Sequence, residues 1–292
     1  MDTARKQRTI GRPAGIAGFG YWSGRDVRLE FRPADPSAGI VFVRRDLEGR
    51  PRIPAGIRHR VEIARRTTLQ CDGAGVEMVE HALAALAGLA IDNCEIWLDA
   101  PELPGLDGSA EPFVEVLDAA GIVEQAAWRP RRVVRETIRL GDEQSWIEAR
   151  PLASPAPVLS YELDYGPHGP IGRQTLQVVL TPQSFRAELA ASRTFLLKSE
   201  AEGMRAQGMG RRTTARDLLV FGDDGPIDNR QRFPDECVRH KLADMVGDLA
   251  LAGCDLVGHF HAYRSGHRLN AELVRALLPP GEPSVQTRRR CA

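Results

Sequence analysis

The chain has 292 residues, with 39 Lys plus Arg against 39 Asp plus Glu, and is 42% apolar and 27% charged. It is too apolar and too evenly charged for a disordered chain, and it lacks the basic excess of a general nucleic-acid binder. No run approaches the roughly 18 apolar residues of a membrane-spanning helix, and the basic N-terminus, MDTARKQRTIGRPAGIAGFG, lacks the apolar stretch of a signal peptide.

Alternation of apolar and polar residues predicts strands at Val27–Phe31 and Gly39–Val43, separated by a Pro/Ser/Gly turn. Residues 76–87, VEMVEHALAALA, read as a helix stopped by Gly88. Asn93–Leu98 alternates again, and 101–109, PELPGLDGS, is a turn-rich loop. Phe113–Ala120 reads as a second helix, stopped by Gly121. The basic, Pro-containing junction Trp128–Arg132 reads as a linker between two domains, 1–127 and 133–278.

The second half repeats this order. Strands are predicted at Val133–Leu140, Ser145–Ala149 and Val158–Leu163, helices around 182–190 and 234–252, and a strand at Leu256–Tyr263. In each half a helix ending in Leu-Ala-Gly, at 86–88 and at 251–253, leads into a strand, which points to a duplicated α+β unit. The tail 279–292 has little to bury and is expected to be flexible. Cys71, Cys94, Cys237, Cys254 and Cys291 form no C-x-x-C pair, which predicts free thiols in a reducing cytoplasm.

The predicted helix 234–252 carries the most chemistry. Val238, Leu242, Met245, Leu249 and Ala252 form one apolar stripe. Glu236, His240, Asp244 and Asp248 recur every fourth residue and form a second stripe on roughly the opposite side. His240 and Asp244 stack one turn apart and could share a metal. The same spacing also suits a solvated face carrying an i, i+4 ion pair. Glu80-His81 lies within an apolar helix, where two ionisable groups need partners. A metal ligand beside a carboxylate base would supply the reason. A position at the helix edge, or pairing of His81 with Glu77, would serve as well. His267 follows the last strand in the turn Arg264–His267, a place where catalytic side chains are often presented and where solvated histidines are common. His259 and His261 share a strand face and read as strand residues. No nucleophile elbow, P-loop or dinucleotide-binding glycine motif occurs.

Together VEHALAALAGLAIDN (79–93), APELPGLDGSAEPFVEVLDAAGI (100–122), SRTF (192–195), RHKLADMVGDLALAG (239–253) and YRSGHRLN (263–270) resemble the zinc-dependent UDP-3-O-acyl-N-acetylglucosamine deacetylases of lipid A synthesis. The resemblance covers nearly the whole chain. It implies an α+β fold of two similar domains, each a mostly antiparallel sheet, with helices packed between the sheets. It implies that His81, His240 and Asp244 ligate Zn2+, with Fe2+ as an alternative ion. Glu80 then matches the general base, His267 the general acid, Asp248 its orienting carboxylate and Thr194 an oxyanion-stabilising hydroxyl. Lys241 and Phe195 match substrate contacts. The implied partner is a UDP-linked acylated amino sugar, handled by a cytoplasmic monomer. A paralogue acting on another N-acetylated sugar, or a non-catalytic metal-binding scaffold, are the alternatives.

Three stretches depart from the family pattern. Tyr21-Trp22-Ser23-Gly24 replaces a Leu-His-Thr-Gly element, and Glu77-Met78 stands where a Ser/His-Thr pair is usual. Arg211, Arg212, Thr213 and Thr214 occupy a Gly-Gly-Ser turn beside the acyl passage, with Ala201 and Gly203 replacing bulkier residues. These changes predict a narrower or wetter passage.

Overall fold

A computed structural model describes residues 4–154 and 156–278, so the expected flexible tail 279–292 lies outside the described residues. Ala14–Phe19 (β1), Asp26–Pro33 (β2), Ile40–Arg44 (β3), Arg52–Pro54 (β4) and Cys94–Leu98 (β5) form a five-stranded sheet in the order β1-β2-β5-β3-β4. Alternation builds it: Val27, Leu29 and Phe31 of β2 are buried, while Asp26 and Arg28 are exposed. Only the β3–β5 pair is parallel.

Ile138–Gly141 (β6), Trp146–Arg150 (β7), Val158–Asp164 (β8), Arg173–Val179 (β9) and His259–Tyr263 (β10) form the second sheet, in the order β6-β7-β10-β8-β9. Again one pair alone, β8–β10, is parallel. Identical order with the same single parallel pair makes the molecule two similar α+β units.

The helices longer than five residues among the described ones are Glu80–Gly88 (α1), Glu111–Ala120 (α2), Lys198–Ala206 (α3), Glu236–Leu249 (α4) and His267–Leu277 (α5). Helix α1 packs on α4 and α2, and α2 on β1. Helix α4 packs on β8 and β9, and α5 on β6 and β7. The helical layer therefore lies between the sheets, and one continuous core joins both units.

Three predicted elements differ. The helix expected from Val76 begins at Glu80. Ala74–Glu77 is a strand paired with Thr68–Cys71, and Met78 takes a φ of 61°. Glu77 is captured by non-local backbone: its N–H donates to Pro101 O (2.8 Å) and its carbonyl accepts from Leu103 (3.0 Å). Tertiary pairing overrides an apolar run that suits helix or strand. The strand expected at Leu256–Tyr263 breaks at Gly258, where a Cβ would lie 2.7 Å from Val134 Cγ2. The piece before the break, Asp255–Val257, pairs in parallel with Arg131–Val133, so the strand expected at Val133–Leu140 is also split. The expected linker is thus strapped at both ends, since Ile122–Trp128 pairs with Lys6–Ile10. Arg5 and Arg129 both bridge Asp92 to Asp255. We draw the division between the units at this crossing.

The α1–α4 contact is very close. A Cβ on Gly247 would stand 2.1 Å from the backbone oxygen of Glu80. Gly247→Ala is expected to push the helices apart and destabilise the protein by about 1–3 kcal/mol, the usual cost of overpacking. Thermal melting with a parallel assay of bound metal checks this, because both helices carry the site described next.

Candidate metal and acid–base centre

Helix α1 opens with Glu80 and His81, and α4 carries Glu236, His240, Asp244 and Asp248 one turn apart. All six are buried, none more than 4% exposed. The solvated-face reading of the α4 stripe and the helix-edge reading of Glu80-His81 therefore do not hold. Glu77 does not pair with His81; its carboxylate meets Arg66 Nε at 2.9 Å. Glu236 anchors the α4 start. Arg193 Nε (2.8 Å) and the backbone N–H of Arg232 (2.6 Å) donate to it.

His81 Nε2 lies 3.6 Å and His240 Nε2 3.4 Å from Asp244 Oδ1. A tetrahedral ion with bonds of about 2.0–2.1 Å spaces its ligands by about 3.3–3.4 Å, so these donors fit one zinc. Ferrous iron accepts the same donor types. Among the described residues this is the one His/Cys/Asp/Glu trio whose ligand atoms gather within 4.8 Å. Ser192 O lies 3.2 Å from His240 Nδ1, which favours a proton there and leaves Nε2 for the ion. Phe195 stands edge-on to the His240 ring, with centroids 6.1 Å apart. Lys241 Nζ donates to Asp244 Oδ2 at 2.5 Å, so one carboxylate oxygen is held and the other is offered.

The charges are coupled. Burial opposes ionisation of Asp244, but His240, Lys241 and His81 hold it well below the usual carboxylate range. Burial pulls His240 down to about 3, aided by His81 and Lys241 against Asp244. Burial also disfavours charged His81, yet its bond to Asp244 and the charge of Glu80 push it up. A proton on His81 thus competes directly with the ion. Metal affinity is expected to fall about tenfold per pH unit once pH drops below the raised His81 value. Equilibrium dialysis across a pH series, with elemental analysis of the retained metal, checks this.

Beside the trio, burial pushes the Glu80 carboxyl up, with His267 and His81 opposing. The backbone N–H of Thr67 donates to Glu80 Oε2 at 3.0 Å. His267 is not in a loop, as expected from sequence, but is the first residue of α5 after Gly266. Its Nδ1 donates to Asp248 Oδ2 at 2.8 Å. Burial opposes the imidazolium, but Asp248 outweighs it and, with Glu80, pushes His267 up to about 9. Asn270 Nδ2 (2.8 Å) and Thr67 Oγ1 (2.5 Å) also donate to Asp248. Sequence reasoning missed Thr67, Asn270 and Arg193 as supports. Asn270 and Arg193 stand inside motifs that carried the resemblance, but no sequence signal pointed to Thr67.

These groups face one cavity of about 1010 Å³, bordered by Glu80, His81, His240, Lys241, Asp244 and His267. Leu196, Met204, Met209 and Val220 also line it, as do Arg173, Arg264 and Arg268. Thr194 lines the wall, but its hydroxyl donates to Gly108 O at 3.0 Å. His259 and His261 are not part of this centre. They lie on the β10 face against Ser160 and Glu162, as strand residues.

The departures from the family pattern behave in two ways. Arg211 and Arg212 are exposed and lie off the cavity wall, with Arg212 paired to Asp26, whereas Ala201, Thr213 and Thr214 line the cavity. The other two stretches meet each other. Trp22 Nε1 donates to Met78 Sδ at 3.0 Å, and Arg66, paired with Glu77, lies 4.6 Å over the Trp22 ring. Tyr21, Trp22 and Met78 all line the cavity.

A family model described as LpxC, UDP-3-O-acyl N-acetylglycosamine deacetylase, matches residues 7–279. Among similar curated proteins is the UDP-3-O-acyl-N-acetylglucosamine deacetylase of Thermosynechococcus vestitus, 40% identical over 94% of this chain and 94% of its own. The protein of that name from Myxococcus xanthus is 39% identical, over 97% of this chain and 90% of its own. The Solibacter usitatus one is 37% identical, over 96% and 93%.

Proposed function

The chain belongs to the UDP-3-O-acyl-N-acetylglucosamine deacetylase family, and from that premise we propose that it hydrolyses the acetamide of UDP-3-O-acyl-N-acetylglucosamine in lipid A biosynthesis. The protein is a metal-dependent amidohydrolase. The observation that carries the reading is the buried His81–His240–Asp244 trio with Glu80 and the His267–Asp248 pair facing the same cavity.

Bound by those three ligands, zinc supplies a Lewis acid that polarises the amide carbonyl and acidifies water. Glu80 takes a proton from the attacking water as the new C–O bond forms. His267 gives its proton to the nitrogen as the C–N bond breaks, leaving acetate and the free amine. Asp248 keeps His267 charged and aimed. Thr194 serves the oxyanion once its hydroxyl turns from Gly108. Lys241 holds Asp244 and, at the cavity border, meets the substrate. Phe195 packs edge-on to His240 and lines the same cavity, where it meets the substrate. The apolar lining residues Leu196, Met204, Met209 and Val220 suit the acyl chain, and Arg173, Arg264 and Arg268 suit the diphosphate.

No helix among the described residues is long and apolar enough to cross a membrane. The reading takes the protein to act as a monomer, and the UDP-linked substrate supports a cytoplasmic site.

Purified, zinc-loaded protein is expected to release acetate from this substrate and to lose activity on chelation. Equal turnover of the nucleotide sugar lacking the 3-O-acyl chain would reject the acyl-specific reading. No acetate from either would reject the activity.

A further inference from the structure

We infer that Thr67 is a positioning residue that holds the acid and the base of this reaction in one frame. The inference rests on the amide-hydrolysis reading and assigns a role to a residue outside the motifs that carried it. Thr67 is 0% exposed. Its hydroxyl donates to Asp248 Oδ1 at 2.5 Å and lies 3.3 Å from His267 Nδ1. Its backbone N–H donates to Glu80 Oε2 at 3.0 Å, and its carbonyl accepts from Val79, just before α1, at 3.3 Å. One residue of the first unit therefore touches the base on α1 and the acid pair on α4 and α5.

The donor count explains why this matters. Asp248 is 0% exposed, so its lone pairs must be satisfied by protein. His267 and Asn270 both approach Oδ2. Oδ1 receives the Thr67 hydroxyl. Without that proton a buried, charged oxygen loses its donor, and the carboxylate is free to turn away from the imidazole it aims. Removing such a bond typically costs about 1.5–3 kcal/mol, which corresponds to about 10- to 100-fold in rate. The neighbouring residue is a natural control. Thr68 is equally buried, yet its Oγ1 makes no hydrogen bond. A hydroxyl that merely fills core space would behave alike at both positions.

The experiment compares Thr67→Val, Thr67→Ser and Thr68→Val in the zinc-loaded enzyme. Thr67→Val is expected to lower kcat by about 10- to 100-fold with KM and zinc content unchanged. Thr67→Ser should return to within a few-fold of the parent, and Thr68→Val should match it. In an Asp248→Asn background Thr67→Val should cost little more, because both act through one carboxylate. The NMR resonance of the His267 Nδ1 proton gives a readout that needs no substrate. It should move in Thr67→Val and stay put in Thr68→Val. Thr67→Ala replaces the valine variant if that one does not fold. Equal kcat in the Thr67→Val and Thr68→Val proteins, or a loss confined to KM or zinc content, overturns the inference. If the parent enzyme releases no acetate, the functional reading fails by itself. An unmoved His267 resonance in Thr67→Val then overturns the positioning role separately.

Discussion

Glu80→Gln is expected to lower kcat by about 10²–10⁴-fold, the usual contribution of a positioned general base, while zinc content and KM stay near those of the parent. The substitution is nearly isosteric, and a glutamine oxygen still accepts the N–H of Thr67, so the start of α1 need not move. What disappears is the ability to take a proton. Burial pushes the parent carboxyl up, and His267 and His81 oppose that rise. In its proposed role the carboxylate is thus a stronger proton acceptor than an ordinary one. A ligand replacement gives a different pattern. His240→Ala should lose metal and activity together, because only two donors of the trio remain. Kinetics with elemental analysis on both variants separates the roles. Retained activity in a zinc-loaded Glu80→Gln protein would remove Glu80 from the chemistry.

The contrast between these residues shows how far the sequence reached. The fourfold spacing of Glu236, His240, Asp244 and Asp248 placed them on one helical face, but spacing cannot say whether a face is wet. That was settled by α1, whose approach needs Gly247, and by Arg193, which pairs with Glu236 from a loop distant in sequence. The duplicated order of strands showed only as two Leu-Ala-Gly echoes, since strand pairing is non-local. Residues 76–79 were misread as helix because their apolar pattern fits both states, and the backbone of Glu77 is claimed by the 101–103 loop. Thr67 could not be found at all. It lies 13 residues from Glu80 and 181 from Asp248, with no periodicity linking them. The family motifs compensated where local patterns were silent, because they preserve which residues meet after folding.

The second large effect is in the pH profile. In its proposed role His267 acts only while protonated, so activity is expected to be lost as pH rises through its folded value, about 9 before the ion's charge is felt. The acidic limb reports Glu80, which must be ionised and whose carboxyl burial pushes up. Asp248→Asn removes the charge that outweighs burial at His267. Burial then acts with little opposition, and the alkaline limb should move to lower pH by about 1–3 units. The rate should also fall at the optimum, by up to the roughly 10²–10⁴-fold that a general acid supplies, because the imidazolium loses the charged partner that holds its proton. A divalent ion in the neighbouring site pulls the alkaline limb of both proteins below 9, but it acts on both alike and leaves the difference between them. Profiles of kcat/KM for the two proteins at matched zinc occupancy are the measurement. A limb that stays in place in Asp248→Asn would mean that His267 does not set it, and the leaving nitrogen would need another proton donor.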